Sequence, residues 1–111
     1  MREAEAGGST GVELPAYEGF VENNNSRFTV GLPSGKKLEV LLIDISDRRV
    51  SARQEQYSIT FRSPADTFIP QGMYRFEHDK LGSFELFIVP IGKDGQGYSY
   101  EATFNNLRDP A

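Results

Sequence analysis

A chain of 111 residues has material for one domain with a full core, and a domain of this size folds without metal or disulfide staples. It contains no cysteine, which excludes thiol nucleophiles, disulfide frameworks, zinc ribbons and iron–sulfur clusters. Sixteen acidic against twelve basic side chains leave a net charge of −4; nucleic-acid binders draw most of their affinity from basic contacts to phosphate, so that partner class is disfavoured.

The first residues, MREAEAGGSTG, are small, polar and glycine-rich. They read as a disordered leader over 1–12, with a single β domain over 13–108. They carry no apolar stretch of the kind a secretion signal needs. Runs such as LEVLLIDI and FELFIVPI are too short to cross a bilayer. A soluble, cytoplasmic protein with no membrane partner is therefore expected.

Tyr17, Phe20 and Val21 stand at helical spacing. Gly19 and the run Asn23 to Asn25 limit any helix there to one or two turns. From Arg27 the period becomes two, with Phe28, Val30 and Leu32 on one face. Pro33-Ser34-Gly35 makes a turn. The next run, KKLEVLLIDIS, is apolar on both parities, which predicts a strand covered on both faces or reset by a bulge. Asp44, interrupting it, is expected to be semi-buried and hydrogen-bonded.

After a polar loop over 46–55, QYSITFR alternates cleanly, with Tyr57, Ile59 and Phe61 inward. The loop SPADTFIPQG has proline at both ends, and Phe68 and Ile69 are expected to tuck beneath it as a plug. A meander completes the chain. MYRFEH places Tyr74, Phe76 and His78 on one face; SFELFIVPIG is apolar on both parities; the last run alternates through Tyr98, Tyr100, Ala102 and Phe104. Lys80-Leu81-Gly82 and Lys93-Asp94-Gly95 mark the two turns. The predicted fold is all-β: a small antiparallel sandwich or partly closed barrel of six strands, with a C-terminal meander and one short N-terminal helical turn.

Three stretches, YSITFRSP at 57–64, IPQGMYRFEHDKLGSFELFIVPIG at 69–92 and YEATFN at 100–105, resemble an uncharacterised family of small bacterial domains. The shared pattern is PQGxYxxEHxxLGxxxLFxVPxG followed by YEAxFN. Ser63 stands where that pattern often has glycine, and the amino-terminal half is similar only loosely. The resemblance implies a fold and no activity, since the family has no assigned reaction and no catalytic residues to transfer. Within its motif, Gly72 and Gly82 serve turns, the aromatics serve packing, and Pro90 suggests a strand end, bulge or edge.

Chemistry-bearing residues are sparse. His78 is the lone histidine, and its strand neighbours Glu77 and Asp79 point the other way. It is expected to be structural, held by backbone or a carboxylate. Glu85 and Glu101 lie on consecutive strands and stand as a candidate carboxylate couple, weighed against a solvated sheet face. GKDGQG joins two strands and lacks the helix that a phosphate loop requires. Arg48, Arg49 and Arg53 in the polar loop sit beside Asp47 and Glu55, and a solvated loop is expected. Tyr98 and Tyr100 are weighed as a stacking platform against core packing.

The sequence therefore points to a non-enzymatic interaction or structural module whose partner is another protein, as an accessory to a larger bacterial or phage-tail-like assembly. No cofactor, metal or catalytic residue is expected. The alternative is a small-ligand binder or enzyme with its site at the mouth of a barrel, ringed by Phe68, His78, Tyr98 and Tyr100.

Overall fold

Six antiparallel strands close on themselves around an aromatic interior. The computed structural model describes residues 14–52 and 54–107; the leader expected over 1–12 lies outside them. A short helix α1 (Tyr17–Glu22) precedes β1 (Arg27–Gly31), β2 (Lys37–Ile45), β3 (Arg49–Val50), β4 (Gln54–Ser63), β5 (Gly72–His78), β6 (Gly82–Asp94) and β7 (Gly97–Leu107). The sheet order is β2-β1-β5-β6-β7-β4-β3, and β2 also pairs with β4, which closes the barrel. Every ladder is antiparallel. β3 is an additional two-residue strand on the edge of β4.

The two strands with apolar residues on both faces reach different solutions. In β2 the register shifts between Leu42 and Asp44 in the pairing with β4. Val40 and Leu42 point inward and are buried, and the bulge resets the alternation so that Ile45 packs against the core as well. Asp44 is exposed, contrary to the expected semi-buried carboxylate, because the bulge turns it to solvent. In β6, Phe84, Leu86 and Ile88 are buried, but Phe87 and Ile91 are 48% and 53% exposed. The outer face of β6 is thus open, not covered. Its ladder with β7 is irregular between Pro90 and Gly92, as expected for a proline that cannot donate to the sheet.

The interior is packed with rings. Phe76 stacks on Phe84 at 6.0 Å, Phe28 meets Phe61 edge-on at 5.2 Å, and Tyr57 stacks on Phe104 at 4.6 Å. Each end of the barrel is stoppered by one further side chain. At the end where β1 begins, Phe20 of α1 is fully buried and touches the rings of Phe28, Phe84 and Phe104. Val21, on the same helix, is 46% exposed, so α1 packs through Phe20 and, at its edge, Tyr17 against Tyr57, and not through its whole apolar face. At the opposite end Ile69 is 1% exposed while Phe68 is 53% exposed. The plug is Ile69 alone. Phe68 is corrected to a surface residue, because neighbouring residues of an extended loop point in opposite directions.

The last hairpin turns at Gly95-Gln96, since β6 runs to Asp94 and β7 starts at Gly97. Asp94 Oδ1 accepts the Gln96 N–H at 2.8 Å. Gly97 has φ 146°, and a Cβ there would stand 1.8 Å from the Ser63 carbonyl oxygen. Only glycine fits. Gly97→Ala is expected to lower unfolding free energy by at least about 3 kcal/mol, whereas Gly95→Ala, with no atom near its built Cβ, should change it by less than about 1 kcal/mol. Phe20→Ala should cost about 3–5 kcal/mol through the cavity it leaves. Urea denaturation midpoints of the three variants check these values.

Candidate functional site

The four residues singled out as a barrel-mouth ring fall at opposite ends. Tyr98, Tyr100 and Phe68 lie at the Ile69 end; His78 closes β5 at the α1 end. Tyr100 is fully buried, so its ring is core and not a surface platform. Its hydroxyl accepts the Ile69 N–H at 2.8 Å and stands 3.3 Å from Ser63 Oγ. Ser63, itself 1% exposed, donates to the Thr67 carbonyl at 2.9 Å. One buried network thus ties the 64–71 loop to β4 and β7 and seats Ile69 in the mouth. Tyr98 is half-buried, with Phe68 edge-on at 5.2 Å and the Lys93 ammonium 5.1 Å from its ring centre.

At the other end His78 is fully engaged within the chain. Its Nδ1 accepts the N–H groups of Lys80 at 3.0 Å and Leu81 at 3.3 Å. That leaves the proton on Nε2, which donates to Ser26 Oγ at 2.9 Å. The Ser26 hydroxyl in turn donates to the Asn23 carbonyl. The imidazole also packs on Phe28, ring centres 4.4 Å apart.

Glu85 and Glu101 do not pair. Glu85 stands opposite Arg75, and Glu101 opposite Val89 and Thr60. The acid–base couple weighed from the sequence is therefore replaced by two separate carboxylates on the outer wall. Arg48 is likewise committed: it bridges Glu18 and Glu55 at 3.0 Å each and covers the Tyr17 ring at 4.9 Å. Beneath it, burial pushes the Tyr57 hydroxyl up to about 12, with Glu55 and Glu18 adding to the shift, so the phenol stays neutral. Among the described residues no group of three or more His, Asp or Glu side chains could hold a metal, and no helix is long and apolar enough to cross a membrane.

Two of the surface grooves among the described residues lie along β7. A polar one of about 550 Å³ crosses β3, β4 and β7 and includes Asp47, Arg49, Gln56, Ser58, Thr103 and Asn105. A smaller one of about 180 Å³ runs between β6 and β7, with Leu14, Met73 and Phe87 on its walls. The second has a backbone cause. Register pairing of β6 with β7 ends at Val89↔Glu101, although both strands continue beyond that point. Past it, the Phe20 ring stands between Phe84 and Phe104, 6.0 and 5.5 Å from their centres. The two strands diverge there, and their facing edges have no ladder partner among the described residues. Met73 and Phe87 are direct register partners on the outside of β5 and β6, 61% and 48% exposed, and Leu14 is 46% exposed.

Sequence reasoning passes over Leu14 and Met73 and assigns Phe87, with the other motif aromatics, to packing. The available signal is the second apolar parity of β6.

A closed antiparallel barrel with a half-zipped wall defines a small β-barrel domain. Residues 15–104 match the model of a domain of unknown function, DUF6916, and the chain belongs to that family. No curated protein and no solved structure matches it. Removing the Tyr100 hydroxyl orphans the buried Ile69 N–H, so Tyr100→Phe is expected to cost about 1–3 kcal/mol. The same change should raise amide exchange at Ile69 before exchange in β1, measured by hydrogen–deuterium exchange.

Proposed function

We propose that this protein is a non-catalytic interaction module that receives another protein chain along the outside of the β6–β7 seam. The observation that carries this reading is the coincidence of Leu14, Met73 and Phe87, three exposed large apolar residues, with two strand edges that stop pairing with each other and have no ladder partner among the described residues. Unpaired strand edges accept an extended segment through main-chain hydrogen bonds, and apolar side chains beside them supply the contact area. An accessory role within a larger assembly suits a domain whose interior is occupied by its own side chains.

A second reading, a small-ligand site, has the polar groove over β3, β4 and β7 in its favour. The two readings differ in where substitution matters. Met73→Lys with Phe87→Glu alters only exposed positions and should shift stability by less than about 1 kcal/mol. It is expected to abolish recovery of the proteins that the wild-type domain retains from native cells, compared side by side by mass spectrometry. Equal recovery by wild type and variant sinks the seam as the binding surface. A concentration-dependent rise in melting temperature with a sugar, nucleotide or lipid would favour the second reading instead.

A further inference from the structure

His78 joins two parts of the fold that no strand ladder joins directly. Through Nδ1 it holds the Lys80 and Leu81 amides of the β5–β6 turn. Through Nε2 and Ser26 Oγ it reaches Asn23, at the C-terminal cap of α1. That turn also touches the helix directly, since a Cβ built on Gly19 would stand 3.1 Å from Leu81 Cδ2. Asn23 is itself fixed to the helix by donating its side-chain amide to the Gly19 carbonyl at 2.8 Å. The helix so fixed carries Phe20, the stopper of that end.

The arrangement tolerates one protonation state. A second proton on the ring would sit on Nδ1, facing two backbone N–H groups that need an acceptor there. All three donors would then compete for no lone pair, and the turn would lose both bonds. We propose that His78 is an acid-sensitive latch: neutral, it ties the β5–β6 turn to the α1 corner, and protonated, it lets go of the turn while keeping Ser26, which parts the turn from the corner and loosens the Phe20 stopper. This device is independent of any partner at the β6–β7 seam.

The surrounding charges do not oppose it. On its own turn Asp79 favours the cation and Lys80 disfavours it. The groove beside the ring contains Arg27 of β1 and Glu39 of β2, paired at 3.2 Å, and Glu77, whose partner is Lys37 at 3.4 Å. The α1 corner contributes the neutral Asn23 and Ser26, and β6 contributes Gly82 and Ser83. Opposite charges are balanced, which leaves burial and the turn's N–H groups to decide. Burial, the largest cause, holds the imidazole below its ordinary 6.5, and the two donors at Nδ1 favour the same neutral form. A folded-state value below 6.5 means that the unfolded chain takes the proton first. The stability contributed by His78 is therefore complete above that pH and is lost as pH falls through the folded midpoint.

The test is an NMR titration of the full chain, following the His78 ring protons together with amide protection factors. Expected are a His78 midpoint below 6.5 and, beneath it, a joint loss of protection at Lys80, Leu81, Phe20 and Asn23 of up to about tenfold per pH unit. His78→Asn keeps an acceptor near the Nδ1 position without a titrating ring, and its protection factors should be flat over the same range. Should that variant fail to fold, Ser26→Ala cuts the link on the other side: Lys80 and Leu81 should still respond to pH while Phe20 no longer follows them. A midpoint at or above 6.5, a titration that leaves Phe20 and Asn23 protected in the wild type, a His78→Asn profile identical to wild type, or intact coupling in Ser26→Ala would each overturn the proposal.

Discussion

Closure of the sheet is the constraint on which everything else rests. β2 must pair with β1 along one edge and with β4 along the other, and the second ladder forms only across the register shift between Leu42 and Asp44. Bulges supply the bend and added twist that a strand needs to turn a barrel corner. Once six strands are closed, the interior is too narrow for anything beyond side chains, and Phe28, Phe61, Phe76, Phe84 and Tyr100 fill it. The ends then need stoppers, which explains why a six-residue helix and an irregular loop each surrender one apolar residue to the core.

Much of this was legible in the residues. Period-two alternation located the strands, because burial on one face of a pleated strand imposes that period. The bulge was foreshadowed by the doubled apolar parity of β2, and Pro90 marked the irregular stretch of β6. The other doubled strand misleads for a physical reason: an apolar residue on an outer wall looks the same in sequence as one packed against the core, and only tertiary contacts separate Phe87 from Ile45. The choice between Phe68 and Ile69 as plug was equally invisible, since it depends on which backbone N–H the Tyr100 hydroxyl captures. Long-range partnerships such as Arg48 with Glu18 and Tyr17 leave no local signature at all.

The features that carry chemistry in the sequence turn out to be turned inward on the fold. The histidine, the buried tyrosine hydroxyl and the best-engaged arginine each satisfy backbone or side-chain groups of this chain. What faces outward includes the apolar pair Met73 and Phe87 beside the unladdered stretch of β6 and β7, together with charged side chains such as Asp44, Asp47 and Glu85.

The uneven zipping of the wall also bears on how the barrel would come apart. β4 and β7 share ten register pairs, from Gln54↔Leu107 to Ser63↔Tyr98, whereas β1 and β5 share three, from Thr29↔Glu77 to Gly31↔Arg75. Local opening begins where the fewest cross-strand bonds must break. Parting that one short ladder converts a closed cylinder into an open six-stranded ribbon, with β1 and β5 at its two margins and every other ladder of the barrel intact. The protein therefore has a built-in line of least resistance, and the first excursion from its native state unrolls it without dismantling it.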